Sequence, residues 1–186
     1  MDDSAKHYTA FLEDRIVASG SLERVLPKLK AIFDKNRHAL FLVFDDETGK
    51  QTDFNLRGSL DEVLAREAPA PEQGGRGRPR LGVVAREVTL LPRHWDWLEL
   101  QPNGASAALR RLIDDARKRE TAEMRKTRGI HATGRFLSAM AGNYPQYEDA
   151  HRALYRGETK QFADLIARWP RDVRDYALRL STGKEG

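Results

Sequence analysis

Short stretches near the start of the chain, most of them rich in apolar residues, are interrupted by two polar turns, one at Glu13-Asp14-Arg15 and one ending at Gly49. The stretches pair into two hairpins, with strands over residues 8–12 and 16–18 and over residues 39–44 and 51–56. Two such stretches on either side of a polar turn are typical of a pair of antiparallel strands. The sequence therefore predicts a small antiparallel sheet.

A short motif recurs behind each predicted hairpin and marks the start of a helix. Residues 20–26, GSLERVL, return as residues 58–64, GSLDEVL. Serine is a favourable N-cap, and Glu62, three residues after Ser59, completes a capping box. Apolar residues follow at helical spacing on the first helix, which we expect to bury Leu22, Val25, Leu26, Leu29, Ile32 and Phe33. The pattern predicts ββα twice, with two helices covering one sheet.

The remainder of the chain changes character after the second helix. Residues 83–91 favour a strand, Pro92 opens a short helix and Ser106 caps a longer one. Four further helices are predicted over residues 131–141, 145–155, 159–169 and 171–180, with Asn143 as a cap before the second of them.

The predicted fold class is α+β. It comprises an acidic ββαββα domain over residues 1–67, a Gly/Pro/Arg-rich linker or arm over 68–82, a strand-helix-helix segment over 83–128 and a helical C-terminal domain over 129–186. A length of 186 residues suits one large domain or two small ones.

Composition excludes several classes of protein. The chain contains no Cys, which excludes disulfides and Cys-ligated zinc. No apolar run reaches the roughly 18 residues of a membrane span, and the acidic start at Asp2 and Asp3 does not fit a signal peptide. We therefore expect a cytoplasmic protein that does not contact a membrane.

Positive charge is concentrated in the middle third of the sequence. Residues 68–135 carry 14 basic and 8 acidic side chains, whereas residues 1–67 carry 10 basic and 13 acidic ones. Such an asymmetry favours a polyanionic partner for the middle segment.

The sharpest local motif lies in this basic segment. Arg76-Gly77-Arg78-Pro79, followed by Arg80, resembles the core of an AT-hook, an arm that lies in the minor groove of A/T-rich DNA. Glycine keeps the backbone slim enough for a groove about 6 Å wide, and A·T pairs present only acceptors there, which suit arginine. The alternative is a solvated Gly/Arg linker.

A second motif follows the arm. The strand that contains Arg86 and Thr89, with the helix that contains Arg110 and Arg111, resembles the ribbon-helix-helix fold of small bacterial repressors. The resemblance implies a homodimer whose paired strands enter the major groove, with Thr89 facing a base edge and Arg86 or Arg110 a phosphate. The alternative is a strand that completes an internal sheet, followed by a core helix.

Taken whole, the chain resembles a bacterial family known only as a domain of unknown function, DUF2239. The resemblance rests on residues 11–12, 17–20, 77–95 and 104–112. It implies no activity, but it joins the basic arm and the strand-helix segment into one element of the family.

Candidates for catalysis or metal binding fail on spacing. Asp45, Asp46 and Glu47 precede Thr48-Gly49-Lys50 without a P-loop pattern, so a polar hairpin turn explains them. The histidines lack zinc-ligand spacing, and the cluster from His94 to Trp97 is best explained by tryptophan packing. We predict no catalytic residue, metal, cofactor or small-molecule substrate, although an enzyme with an unfamiliar site stays open as an alternative.

The sequence thus favours a DNA-binding protein, nucleoid-associated or a transcriptional regulator, that acts as a homodimer. Its predicted DNA contacts are Arg76, Gly77, Arg78, Pro79, Arg80, Arg86, Thr89, Arg110 and Arg111. The rival is a non-catalytic adaptor, in which the C-terminal helices bind a protein and the Gly/Arg stretch is only a linker.

Overall fold

The two ends of the chain fold together. The structure is a computed structural model and describes residues 6–68, 87–119 and 121–183. They divide into two compact units. The core unit combines the chain up to residue 70 with the chain from residue 123 onwards, and the middle unit spans residues 71–122. This division differs from the four successive segments predicted above, because the first and the last of those segments share one unit.

The first part of the core unit has the predicted ββα repeat. Its elements are β1 (Tyr8–Leu12), β2 (Arg15–Gly20), α1 (Leu22–Lys35), β3 (Phe41–Asp45), β4 (Gln51–Thr52) and α2 (Leu60–Glu67). The strands form one antiparallel sheet in the order β2-β1-β3-β4. The capping box is confirmed as well, because the Ser59 hydroxyl accepts from the Glu62 amide and the Glu62 carboxylate accepts from the Ser59 amide.

Six helices follow in the described residues. They are α3 (Pro92–Glu99), α4 (Gly104–Lys118), α5 (Ala122–Met140), α6 (Tyr147–Tyr155), α7 (Thr159–Leu165) and α8 (Arg171–Ser181). Two predicted caps are wrong: Asn103 rather than Ser106 precedes α4, and Gln146 rather than Asn143 precedes α6. Both true cap residues have a positive φ, of 67° and 60°, which sequence patterns indicate poorly. None of the helices in the described ranges has the length and apolarity needed to cross a membrane.

The strand predicted over residues 83–91 is wrong in its described part. Residues 83–86 lie outside the described residues, and residues 87–91 belong to no strand. Leu91 has extended backbone angles, φ −67° and ψ 149°, but it serves as the N-cap of α3. β-branched composition favours extended backbone, yet a strand also needs a neighbour to pair with its amides and carbonyls.

The sheet is buried on both faces. Successive side chains of a strand point to opposite sides, so Tyr8 and Ala10 lie on one face and Phe11 on the other. On the first face, Val25, Leu26 and Leu29 of α1 are buried as the sequence predicted and pack in one cluster with Val63 of α2. Leu22, Ile32 and Phe33, which were also predicted to be buried, are only partly buried.

The opposite face of the sheet is covered by helices of the C-terminal part. Phe11 of β1 and Phe44 of β3 pack in one cluster with Phe136 of α5 and Tyr176 of α8. The rings of Phe136 and Tyr176 have centroids 4.7 Å apart, and those of Phe44 and Phe136 are 4.9 Å apart. The core unit is therefore a sheet between two helical layers, one more layer than the sequence predicted.

Candidate nucleic-acid interface

The predicted DNA contacts fall partly inside the described residues. Arg76, Gly77, Arg78, Pro79, Arg80 and Arg86 lie outside them. Thr89 is exposed in the segment that leads into α3, and Arg110 and Arg111 are exposed on α4. The prediction that Thr89 lies on a strand is therefore wrong, since its segment pairs with no strand among the described residues.

The middle unit presents α3 and α4 as a helical hairpin. Pro92 occupies the first turn of α3, where its missing amide costs no hydrogen bond. The chain reverses at Asn103 and Gly104, which both have left-handed backbones, with φ values of 67° and 79°. Gln101 braces this turn: its side-chain amide donates to the Trp97 carbonyl at 3.3 Å and accepts from Arg111 Nη2 at 3.4 Å.

The charges on α4 alternate in sign along the helix. Arg110 and Arg111 come first, Asp114 and Asp115 follow one turn later, and Arg117 and Lys118 close the helix. Arg111 is tied to Gln101, which leaves Arg110 as the freer of the two predicted contacts. A helix with this order of charges is not a uniformly positive surface, so α4 alone makes a weak polyanion site.

A second basic run was missed among the predicted contacts. Arg117, Lys118 and Arg119 are exposed at the end of α4, and Arg125 and Lys126 are exposed in the first turns of α5. Arg128 follows and forms an ion pair with Glu47, with Arg128 Nη1 lying 3.8 Å from Glu47 Oε1. The sequence shows a high density of basic residues over 117–128, but these residues match no motif and were therefore not predicted as contacts.

The acidic turn between β3 and β4 is explained by its own contacts. Asp45 Oδ1 accepts from the amides of Glu47 and Thr48 at 3.0 and 2.9 Å, which is an Asx-type turn. Asp46 binds Tyr176 and Arg179, and Glu47 pairs with Arg128. Among the described residues no group of three His, Asp or Glu side chains is placed to hold a metal ion.

A polar network ties α8 to the sheet. Tyr176 Oη donates to Asp46 Oδ1 at 2.9 Å, and Arg179 Nη2 donates to Asp46 Oδ2 at 3.4 Å and to Thr9 Oγ1 at 3.3 Å. Burial, with the nearby Asp46 carboxylate as the next cause, raises the pKa of Tyr176 well above its usual value. The network is a structural link inside the core unit, and each of its buried polar groups has a partner.

Substitution of Tyr176 by Phe tests this link. Loss of the hydrogen bond to Asp46 should lower the free energy of unfolding by about 1–2 kcal/mol at neutral pH. Because folding raises the pKa of Tyr176 above 10.0, the folded state favours the neutral phenol, and stability from this group falls as pH rises above that value. The difference between wild type and Tyr176→Phe should therefore shrink in alkaline buffer.

Denaturant unfolding at neutral pH and above pH 10 measures both effects. Tyr155→Phe is the matched control, since Tyr155 is 48% exposed and should lose little stability at either pH. An unchanged gap between wild type and Tyr176→Phe across this range would contradict the assignment.

The structure defines an α+β protein. Its core unit has a sheet that is covered by helices on both faces, and its middle unit contains a helical hairpin. This chain belongs to the bacterial family described as "Uncharacterized protein conserved in bacteria (DUF2239)", which matches residues 7–181. The family resemblance seen in the sequence is thereby confirmed. No curated protein and no solved structure matches the chain.

Proposed function

We propose that this protein binds DNA without catalysing a reaction, as a nucleoid-associated or regulatory factor. The observation that carries the proposal is the net charge of +6 on residues 68–135, set against a negative balance on residues 1–67. A cluster of guanidinium groups attracts a polyphosphate and gains affinity from the counterions that it releases. A bacterial nucleoid is the location that this function implies.

The principal contacts are Arg76, Arg78 and Arg80 on the Gly/Pro-rich arm. Their side chains would contact the phosphate backbone and the acceptor edges of A·T pairs in a narrow minor groove, where the negative potential is enhanced. Arg86, Arg110 and Arg111 would add contacts to phosphates, which position the protein but carry no sequence information. Affinity is then mostly electrostatic, with a modest preference for A/T-rich DNA.

The triple variant Arg76→Ala/Arg78→Ala/Arg80→Ala tests the proposal. Affinity for an A/T-rich duplex should fall about tenfold or more, because three charge-assisted contacts are lost. The slope of log K against log salt should flatten by about 2 to 3, since each phosphate contact contributes about 0.9. Fluorescence anisotropy across a salt series, with A/T-rich and G/C-rich duplexes in parallel, measures both.

A matched control removes the same charge elsewhere. Arg57, Arg156 and Arg168 are exposed residues of the core unit, and their triple alanine variant should bind DNA almost as wild type does. Equal losses of DNA affinity in the two triple variants would mean that the effect depends on net charge and not on the arm. Unchanged affinity of the arm variant at low salt would remove the arm from DNA binding altogether.

The second candidate function is a protein-interaction adaptor, whose docking surface would be the middle unit rather than the C-terminal helices named above. Most large hydrophobic side chains that are exposed in the described residues lie in the middle unit, including Trp95, Trp97 and Leu112. Exposed apolar clusters mark protein contacts. A wild-type protein that ignores duplexes in dilute buffer but captures a protein through these residues would favour this alternative.

A further inference from the structure

A row of ring side chains leads from the interior of the core unit to its surface. Tyr147, His151 and Tyr155 of α6 follow one another at a spacing of four residues, and His131 of α5 continues the row on the neighbouring helix. We call these four residues the aromatic ladder. The ring centroids of successive members lie 5.7, 4.9 and 5.9 Å apart, so each ring contacts the next.

The two ends of the aromatic ladder differ in their surroundings. Tyr147 packs against the hydrophobic core, and its hydroxyl lies 3.4 Å from the Ser138 hydroxyl of α5. At the other end Tyr155 is 48% exposed, and His131 is exposed as well. Ring pairs at a spacing of four stabilise a helix only slightly, and His131 lies on a different helix. The ladder is therefore held by the core at one end and presents rings to solvent at the other.

Gly134 of α5 makes room for the exposed tyrosine. A Cβ at this position would overlap the phenol end of Tyr155. The missing side chain lets the ring lie close to the backbone of α5, although glycine inside a helix costs stability relative to alanine. No group in the described ranges hydrogen-bonds to the Tyr155 hydroxyl. The ring thus has a defined position without being buried in the core or hydrogen-bonded.

Positive charge surrounds the exposed end of the aromatic ladder. Residues 125–135 and 155–160, which flank this end, carry six basic side chains and one acidic one, Glu158. Lys126 Nζ lies beside Gly157, where a Cβ would be 3.6 Å from it. Arg135 follows His131 by one turn of α5, and its Nη1 donates to a neutral backbone carbonyl.

Two of these cations have charges that no carboxylate cancels. Within the part of the chain that the structure describes, neither Lys126 nor Arg135 forms an ion pair. The acidic residues of α6 lie at the other end of the ladder, where Glu148 is next to Tyr147 and Asp149 pairs with an arginine at 2.6 Å. An anionic ligand is therefore favoured at the exposed end alone.

The exposed end combines flat rings with positive charge and few aliphatic groups. In the described part of α5 and α6, Met124 and Tyr155 are the large hydrophobic side chains that are exposed. A protein partner would need a wider apolar patch than these two residues offer. Unpaired bases fit better, because rings of tyrosine and histidine stack on their faces while neighbouring cations contact the phosphates.

We infer that the exposed end of the aromatic ladder binds single-stranded nucleic acid by stacking its unpaired bases. Tyr155 and His131 provide the rings, and Lys126 and Arg135 attract the phosphates. A duplex keeps the faces of its bases stacked on one another, so this surface discriminates against duplexes. The inference goes beyond the proposed duplex binding and does not rest on it, because the arm and the ladder share no residue.

Fluorescence anisotropy with the full-length Arg76→Ala/Arg78→Ala/Arg80→Ala variant tests the inference, because this variant lacks the guanidinium groups proposed to bind duplexes. The probes are labelled oligothymidylate and oligouridylate, each on the order of ten nucleotides long, and an abasic strand with the same phosphates. At least one strand with bases should bind about tenfold more tightly than the abasic strand, since stacking needs bases. The tighter of the two identifies DNA or RNA as the preferred strand.

Substitutions in the same full-length variant locate the stacking rings. Tyr155→Leu keeps an apolar side chain but removes the ring, and it should weaken single-strand binding about tenfold. Tyr155→Phe keeps the ring and should restore the affinity. His131→Ala should cause a loss similar to that of the leucine variant. The control His38→Ala, which removes an exposed imidazole outside α5 and α6, should cause none.

Loss of base-dependent binding in Tyr155→Leu with recovery in Tyr155→Phe supports the inference. Equal affinity for the abasic strand and for both strands with bases would overturn it, as would an affinity that Tyr155→Leu and His131→Ala leave unchanged. Because Tyr155 and His131 are both exposed, either substitution should leave the unfolding midpoint nearly unchanged, and each variant tests the surface independently of the other. Failure here leaves the duplex titration of the arm variant unaffected, since that titration compares proteins with the same intact ladder.

Discussion

Substitution of Phe136 by Ala should lower the free energy of unfolding of the core unit by about 3–5 kcal/mol. Phe136 is fully buried at the point where α5 meets the sheet. Its ring lies 4.7 Å from that of Tyr176, 4.9 Å from that of Phe44 and 5.6 Å from that of Phe11, measured between centroids. Removal of the ring leaves a cavity bordered by β1, β3 and α8, and the surrounding structure relaxes only partially into such a cavity.

Guanidinium unfolding followed by circular dichroism measures this loss. Leu40→Ala is the control, since Leu40 is 84% exposed and its truncation should change stability by less than about 0.5 kcal/mol. A loss under about 1 kcal/mol for Phe136→Ala would mean that the C-terminal helices do not cover the sheet.

Substitution of Gly49 by Ala should have a comparable effect, on the order of 3–5 kcal/mol. Gly49 closes the turn between β3 and β4 with φ +66°, a backbone region that other residues enter at a cost. A Cβ at this position would overlap the backbone carbonyl of Ala132 on α5. The neighbouring contact from Arg135 Nη1 to the Thr48 carbonyl, at 2.6 Å, holds the turn against this helix.

The Gly157→Ala variant separates the two causes of the expected loss at Gly49, which are the left-handed backbone and the overlap with α5. Gly157 has a similar φ of +72°, but the nearest atom to a Cβ there is Lys126 Nζ, at an ordinary contact distance of 3.6 Å. This variant should lose only the conformational part, about 1–2 kcal/mol. Equal losses at the two glycines, in the same denaturant assay, would show that the turn has room to move away from α5.

The sequence predicted the parts of the fold that local chemistry decides. The capping box at Ser59 and the helical period of α1 involve residues within a few positions of each other, and both are confirmed. The second helical layer depends on Phe11 meeting Phe136, a contact between residues far apart in the chain. One signal was present: Tyr8 to Leu12 is nearly continuous in apolar residues, which is typical of a strand buried on both faces.

The candidate interface was harder to predict for a related reason. Val88 and Thr89 favour extended backbone, but whether they pair depends on a neighbouring strand that no local pattern reveals. The periodic apolar residues of α4, Leu109, Leu112, Ile113 and Ala116, are equally compatible with a helix buried in a core and with a helix exposed on the surface. Only the exposed fractions of Leu112 and Ile113 in the structure distinguish these two interpretations.

The union of both chain ends in one core has a consequence for synthesis on the ribosome. A nascent chain that ends before residue 123 carries the sheet but lacks the helices that cover Phe11 and Phe44. These aromatic residues then stay exposed to water and to neighbouring nascent chains until the last third of the chain has left the ribosomal exit tunnel. Slow translation of the middle unit would lengthen this period of exposure and increase the need for chaperones.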